Sequence, residues 1–246
     1  MMISQAVELI LGSKYLTALT GAGVSAESGI PTFRGKDGLW NKYKPEELAT
    51  PEAFANNPQL VWEWYSWRMS VVFAAKPNPA HYALAELEKA GILKSLVTQN
   101  VDDLHERAGS KKVLHLHGSL RVVRCTNCGY EIYVSEPVKV PPLPRCEKCN
   151  SLMRPGVVWF GEMLPKDVLD EAFSEVSKSD VIIVAGTSAV VQPAASLPLI
   201  VKRSGGFIIE INPNETPLTN ISDVSIRMPA GKALNEIINR IRESHF

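Results

Sequence analysis

Tyr15-Leu16-Thr17-Ala18-Leu19-Thr20-Gly21-Ala22-Gly23-Val24-Ser25 is a short apolar run that stops at two glycines one residue apart. Such a run fits a strand buried on both faces. A Gly-x-Gly directly after it lets backbone amides approach a pyrophosphate at the start of a helix, where the dipole favours negative charge. The usual dinucleotide fingerprint asks for a third glycine at position 26 and an acidic residue about twenty positions on. Here position 26 is Ala26, and Ser28-Gly29-Ile30-Pro31-Thr32-Phe33-Arg34 makes a long loop. That loop could fold over a nicotinamide ribose and carry Arg34 toward a phosphate; an ordinary surface loop with a solvated arginine is the plain alternative.

Outward from this stretch, strands and helices alternate. An amphipathic segment with Val7, Leu9, Ile10 and Leu11 precedes it and suits a helix. Helices are predicted near 80–89, 102–108, 166–177, 194–203 and 231–242, and strands near 93–98, 113–116, 181–185 and 207–211. Continuous apolar strands between helices argue an α/β fold: a Rossmann-type parallel sheet covered on both faces. Two inserts interrupt the alternation, an aromatic segment around Trp62, Trp64, Tyr65 and Trp67 and a cysteine-bearing segment. The expected division is a large domain from about 1–40, 78–120 and 155–246. A smaller discontinuous one takes a helical part at about 41–77 and a metal module at about 121–154.

All four cysteines lie in two pairs, Cys125-x-x-Cys128 and Cys146-x-x-Cys149, with 17 residues between the pairs. That spacing falls in the window for a tetrahedral thiolate zinc site. Flanking Arg124, Asn127, Gly129, Arg145 and Lys148 give the pairs the character of exposed knuckles rather than core. A closed four-sulfur site leaves no open coordination position, so one zinc per chain would hold the module together and chemistry would fall to other residues.

The chain has 246 residues, 45% of them hydrophobic, enough to bury a sizeable core, and a formal net charge of zero. Neutral balance gives no bulk attraction to nucleic acid or to a membrane surface, so neither is an expected partner. The N-terminal residues lack the pattern of a secretion signal and no apolar run reaches spanning length, so a cytoplasmic location is expected.

The motifs resemble those of the sirtuins, NAD-dependent protein lysine deacylases. The matching residues are Gly21 through Arg34, Gln99-Asn100-Val101-Asp102, His117-Gly118, the four cysteines, Phe160-Gly161-Glu162, Gly186-Thr187-Ser188 and Ile211-Asn212, in the family's order over nearly the whole chain. The resemblance implies a cleft between a Rossmann-type and a zinc-bearing domain where NAD and an acyl-lysine protein, a chromatin protein among the candidates, meet. It implies NAD contacts from Gly21, Ala22, Gly23, Ser25, Phe33, Arg34, Gln99, Asn100, Val101, Asp102, Gly186, Thr187, Ser188, Asn212 and Ala230. His117 would be the base, with Asn100 orienting the ribose or a water. His115 competes with His117 on the same strand face. His81 and His105 fall in helical stretches where capping or surface roles are expected, and His245 is near the terminus. Asp102, opening a helix, could equally be a cap, and Asp103 competes for that duty.

By the same resemblance Val158, Phe160 and Gly161 belong to a segment that pairs with substrate backbone; without the family, Trp159 and Phe160 read as core. Tyr65 and Arg68, three apart on a predicted helix, could read a carboxylate with a phenol and a guanidinium. Ala49, Tyr65 and Arg68 resemble the pattern of sirtuins that remove succinyl and malonyl groups, and Thr32 goes with the same subgroup. Two other classes use the same features: a hydride-transferring dehydrogenase on the same fold, and a zinc ribbon binding nucleic acid or a partner.

Overall fold

The computed structural model describes residues 1–34 and 38–244, so His245 lies outside the described residues. Nine strands are formed among the described residues: β1 (Leu16–Thr20), β2 (Leu93–Thr98), β3 (Val113–His115), β4 (Gly118–Cys125), β5 (Glu131–Tyr133), β6 (Met153–Val157), β7 (Val181–Ala185), β8 (Phe207–Ile211) and β9 (Val224–Ile226). Six of them make a parallel sheet in the order β3-β2-β1-β7-β8-β9. The chain therefore winds outward from β1 in one direction and from β7 in the other. The gap between the ends of those two strands is the switch point at which doubly wound sheets bind ligands. Pairing of Leu16 with Val181 through Thr20 with Ala185 sets the turns after both strands side by side.

Helices cover both faces because the central strands are apolar on both. On one face, Ile3, Ile10, Leu84, Leu87, Leu234 and Ile237 pack against Leu16, Ala18, Ile183 and Ile209. On the other, Leu19, Val184 and Ile208 meet Val176, Leu197 and Val201. Strands β5-β4-β6 form a separate antiparallel sheet bearing the cysteines. Its buried residues Val123, Cys125, Cys146 and Met153 share one cluster with Trp62, Trp64, Tyr65 and Met69 of helix Pro58–Ala74. Trp62 ties the two inserts together by donating its Nε1–H to the Met153 carbonyl at 2.8 Å. The inserts are thus one packed unit, with a core apart from those of the parallel sheet.

Departures from the expected elements have local causes. The segment expected as a helix at 194–203 is a 3₁₀ turn, Ala194–Ser196, followed by helix Leu197–Arg203. Pro198 sits in the first turn of that second helix, where its missing N–H costs nothing. β9 is three residues long and too short for a period to show. β3 ends at His115, and Leu116-His117 form the turn into β4. At Gly118 φ is +76°, and a Cβ there would meet the Gly156 carbonyl oxygen at 2.2 Å. Only glycine permits this sharp return of the chain beside His117.

Candidate functional site

A cavity of about 900 Å³ opens at the switch point, between the carboxyl ends of β1, β2, β7 and β8 and the insert unit. It lies within the size range of small-molecule and cofactor sites. Lining it are Gly21, Ala22, Gly23, Phe33, Arg34, Gln99, Asn100, Val101, Gly186, Thr187, Ser188, Asn212 and Ala230, together with Ala49, Tyr65, Arg68, His117, Val158, Phe160 and Gly161. Ser25 and Asp102 line a small adjoining recess of about 20 Å³, reached past Ala22, Phe33 and Asn100. The site residues expected from the sequence are therefore gathered in one place. The sequence reading did not assign Trp40, Trp64 or Trp159 to the cavity they line. Their apolar spacing matches that of core residues, and no signal in the sequence separates the two.

The glycine loop packs its backbone against the turn after β7. The Gly21 N–H donates to the Ala185 carbonyl at 3.1 Å and the Gly23 N–H to the Gly186 carbonyl at 2.8 Å. Neither amide is left for a phosphate. What the glycines permit is contact between the two turns: a Cβ on Gly21 or Gly23 would stand 2.8 Å from Gly186 atoms, and Gly186 itself has φ +62°. The floor of the cleft is thus backbone without side chains, which lets a flat ligand lie close to it.

Gln99 and Asn100 follow β2, and their side chains brace the floor. Gln99 Nε2 donates to Thr187 Oγ1 at 2.8 Å, and Asn212 Nδ2 donates to the Thr187 carbonyl at 2.9 Å. Asn100 Nδ2 lies 3.2 Å from Ser25 Oγ, and Ser25 donates to Asp102 Oδ2 at 2.8 Å. The other Asp102 oxygen accepts the Leu104 N–H that opens helix Leu104–Ala108, so Asp102 serves both the recess and the helix start. Asp103 makes no capping bond; its carboxylate accepts from Arg121 Nε at 3.0 Å. Burial raises the pKa of Asp102, and the Leu104 amide and Ser25 hydroxyl oppose that rise.

Two imidazoles reach the carbonyls of this loop. His117 Nδ1 lies 3.0 Å from the Gln99 oxygen and His115 Nδ1 lies 3.0 Å from the Asn100 oxygen. A carbonyl only accepts, so both Nδ1 atoms carry hydrogen. For His117 this leaves Nε2 as a bare lone pair with no partner among the described residues. Burial lowers its pKa, which keeps the ring neutral; the Gln99 bond pulls weakly the other way. His115 differs, since its Nε2 faces Glu106 Oε1 at 2.5 Å. Burial disfavours its charge, but the Glu106 carboxylate outweighs burial and raises the pKa. Among the described residues, only His117 combines a free ring nitrogen with a place on the cavity wall.

Of the other described histidines, His81 meets the expected capping role, and neither it nor His105 has the surface place allowed for them. His81 and His105 are fully buried rather than on the surface. His81 Nδ1 does accept the Asn78 N–H in a capping box, while its Nε2 lies 3.3 Å from Ser25 Oγ. His105 Nε2 lies 2.9 Å from Thr20 Oγ1.

Tyr65 and Arg68 project from helix Pro58–Ala74 into the cavity, both about 5% exposed. Arg68 has no ion-pair partner among the described residues; its guanidinium lies 4.3 Å from the Phe33 ring centroid and 5.1 Å from that of Trp64. Its Nη1 is buried without a hydrogen-bond partner. Burial brings its pKa down to about 10, which still leaves it charged at neutral pH, and brings that of Tyr65 up to about 12. A buried cation with an unpartnered N–H beside a neutral phenol has the donors to receive an anion. Next to Tyr65 in the cavity lining, the Phe160 N–H donates to the Ala49 carbonyl at 2.9 Å and the Val158 N–H to the His117 carbonyl at 2.9 Å.

The four cysteine sulfurs lie within 4.8 Å of one another, Cys125 to Cys149 at 3.4 Å and Cys128 to Cys146 at 3.6 Å. These separations exceed a disulfide bond and suit the edges of a tetrahedron, about 3.8 Å for zinc bound by sulfur at roughly 2.3 Å. The Asn127 and Cys128 amides both donate to Cys125 Sγ at 3.4 Å, as suits a thiolate. The donor set fits zinc, in a closed site remote from the cleft lining.

Residues 21–193 match the profile of the Sir2 family. Over 238 residues, 97% of each chain, the sequence is 69% identical to the NAD-dependent protein deacylase 1 of Archaeoglobus fulgidus. It is 55% identical to the NAD-dependent protein deacylase of Pyrococcus furiosus over 98% of each chain. Among solved structures, a Sir2 homologue in complex with NAD superposes with a TM-score of 0.94 at 68% identity, covering 98% of this chain and 94% of the other. Sir2 bound to an acetylated peptide superposes at 0.88 with 37% identity, covering 100% and 99%. With its glycine-floored cleft, its cysteine module and these likenesses over its full length, the chain belongs to the Sir2 family.

Proposed function

We propose that this protein is an NAD-dependent protein deacylase, transferring the acyl group of a modified lysine to ADP-ribose and releasing nicotinamide and free lysine. The observation that carries this reading is His117: a neutral imidazole whose Nδ1–H is pinned to the Gln99 carbonyl and whose Nε2 is free, on the wall of a cleft with a bare backbone floor. NAD, when bound, supplies a glycosidic bond whose cleavage frees nicotinamide and leaves a ribose hydroxyl as acyl acceptor. His117 Nε2 would take the proton of that hydroxyl. Asn100, held by Ser25, would orient the ribose or a water. Asp102 and the Val101 backbone would receive the carboxamide in the small recess. Gly186, Thr187 and Ser188 would supply amides and hydroxyls to phosphate, Asn212 would reach the adenosine ribose with Ala230 also on the cofactor, and Val158 to Gly161 would take the substrate backbone as an added strand. Full-length identity of 69% to a relative named as a deacylase supports the reading.

Incubation with NAD and acyl-lysine peptides should give NAD-dependent loss of acyl mass, free nicotinamide and an O-acyl-ADP-ribose. Reduction of NAD without nicotinamide release would point to hydride transfer instead.

We further infer that the acyl groups removed include succinyl and malonyl alongside acetyl. The orphaned Arg68 Nη1 beside Tyr65 supports this, because a distal carboxylate would complete it. Arg68→Met should then raise KM for succinyl-lysine by a factor on the order of 10–100 and leave acetyl-lysine nearly unchanged, with Tyr65→Phe weaker in the same direction. An equal loss on both acyl groups would make the pair structural. Acyl-lysine proteins of the cytoplasm are the partners this reading implies, with chromatin proteins among the candidates.

A further inference from the structure

Around Tyr65 the acyl end of the cavity is walled by hydrogen-bond donors. Arg68 can only donate, and its Nη1 is buried with no acceptor. Trp64, which lines the cavity and meets the Tyr65 ring edge-on at 4.7 Å, likewise has a buried Nε1–H without an acceptor among the described residues. Tyr65 alone of the three could act either way, since a phenol accepts as well as donates.

Trp159 removes that choice. Its Nε1 lies 2.9 Å from the Tyr65 oxygen, and an indole N–H only donates, so the Tyr65 oxygen is the acceptor in this bond. The Tyr65 proton is then left to point elsewhere, and no described residue accepts it. Trp159 is itself held from two sides. Its backbone N–H donates to Glu162 Oε2 at 2.8 Å, and the Arg154 guanidinium lies 3.5 Å from the Trp159 ring centroid. Arg154 grips the same Glu162 through Nη1 at 2.5 Å and Nη2 at 2.8 Å. Phe54 packs on the indole at 5.3 Å between ring centroids.

We propose that Trp159 is a positioning residue that makes Tyr65 an obligate donor, so that the pocket takes acyl groups ending in a carboxylate and rejects those ending in a carboxamide. The inference rests on the carboxylate-tipped acyl reading above and sharpens it to an acceptor-only tip. A carboxylate offers only acceptors to Arg68, Trp64 and Tyr65. A carboxamide of the same shape must bring its NH₂ against one of them, leaving two buried donors facing each other. If the Trp159 N–H is removed, the Tyr65 hydroxyl is free to turn and accept from that NH₂.

The test is kcat/KM for acetyl-, succinyl- and succinamyl-lysine peptides with wild type, Trp159→Phe, Tyr65→Phe, the double variant and Arg68→Met. Phenylalanine keeps a ring for Phe54 and Arg154, and the ratio between the two tips cancels any loss common to both. We expect wild type to favour succinyl over succinamyl. Trp159→Phe should narrow that ratio about three- to tenfold, chiefly through a lower KM for succinamyl-lysine, with no further narrowing when Tyr65 is already Phe. A ratio that Trp159→Phe leaves unchanged, or effects of the two substitutions that multiply independently, would overturn the assignment. Succinyl turnover that is absent, or indifferent to Arg68→Met, would overturn the carboxylate reading and this inference with it. Arg68-dependent turnover with an unmoved ratio would overturn the role of Trp159 alone. If Trp159→Phe fails to fold, benzothienylalanine at position 159 replaces the N–H by sulfur at nearly the same volume and makes the same comparison.

Discussion

At the residue scale the chemistry turns on which ring nitrogen of which histidine is free. His115 and His117 have the same local pattern, each giving Nδ1–H to a backbone carbonyl of one loop. Glu106 then occupies the second nitrogen of His115 and no described residue occupies that of His117. His117→Ala should therefore lower deacylation by a factor on the order of 10²–10⁴ while NAD still binds. The pH dependence follows from the same environment. Burial sets the folded pKa of His117 below its ordinary 6.5, so the neutral base is present at neutral pH and is lost as pH falls through that lowered value. The profile of kcat/KM should carry an acid limb with its midpoint under 6.5, and that limb should vanish in His117→Ala. A limb that persists in the variant would assign it to another group.

Among elements, the antiparallel sheet with the cysteines is the least able to stand alone. β5 has three residues, two of them exposed, and the turns at Asn127–Gly129 and Glu147–Asn150 are solvated. So little buried apolar surface makes metal binding the main source of the module's folding energy. Purified protein should hold one zinc per chain, and Cys146→Ala, at a cysteine only 2% exposed, should lose both the metal and activity through unfolding of the module. Because Trp62 bonds to Met153 and both inserts share one core, the damage should reach helix Pro58–Ala74 and with it Tyr65 and Arg68. Metal analysis beside a thermal melt checks this; a zinc-free variant with an unchanged melt and rate would show the module to be dispensable.

For the whole molecule, stability depends on contacts that tie distant stretches of chain. Glu175, 4% exposed near the end of helix Lys166–Ser177, accepts from Tyr15 Oη at 2.7 Å, Lys112 Nζ at 2.8 Å and Lys178 Nζ at 2.9 Å. It links that helix to the entrances of β1 and β3. Burial opposes its charge, but these donors outweigh burial and hold its pKa at about 2, against an ordinary value of 4.5. A depressed carboxylate pKa stabilises the fold above the unfolded value, and the gain disappears as pH falls from about 4.5 through about 2. Glu175→Gln should accordingly lower the melting temperature by a few degrees at pH 7 and make little difference at pH 2. Equal differences at both pH values would place the effect in packing rather than charge.

Much was legible along the chain because the signal there is local. Strands β2, β7 and β8 and helix Lys166–Ser177 fall within the expected bounds, since a buried parallel strand needs an unbroken apolar run and a covering helix needs one apolar stripe. The cysteine pairs read directly from spacing, and the glycine turn from its place after an apolar strand. Tertiary structure decided what depends on partners far away in sequence. Gly21 and Gly23 give their amides to Ala185 and Gly186, 164 and 163 residues on, which no local pattern announces. His81 and His105 are buried because the faces of their helices meet Ser25 and Thr20. Trp159 reads as core along the chain, and only its approach to Tyr65, 94 residues away, gives its indole hydrogen a direction. Periodicity fixes which side chains leave solvent; hydrogen-bond partners are fixed only when the folded chain brings them within about 3 Å.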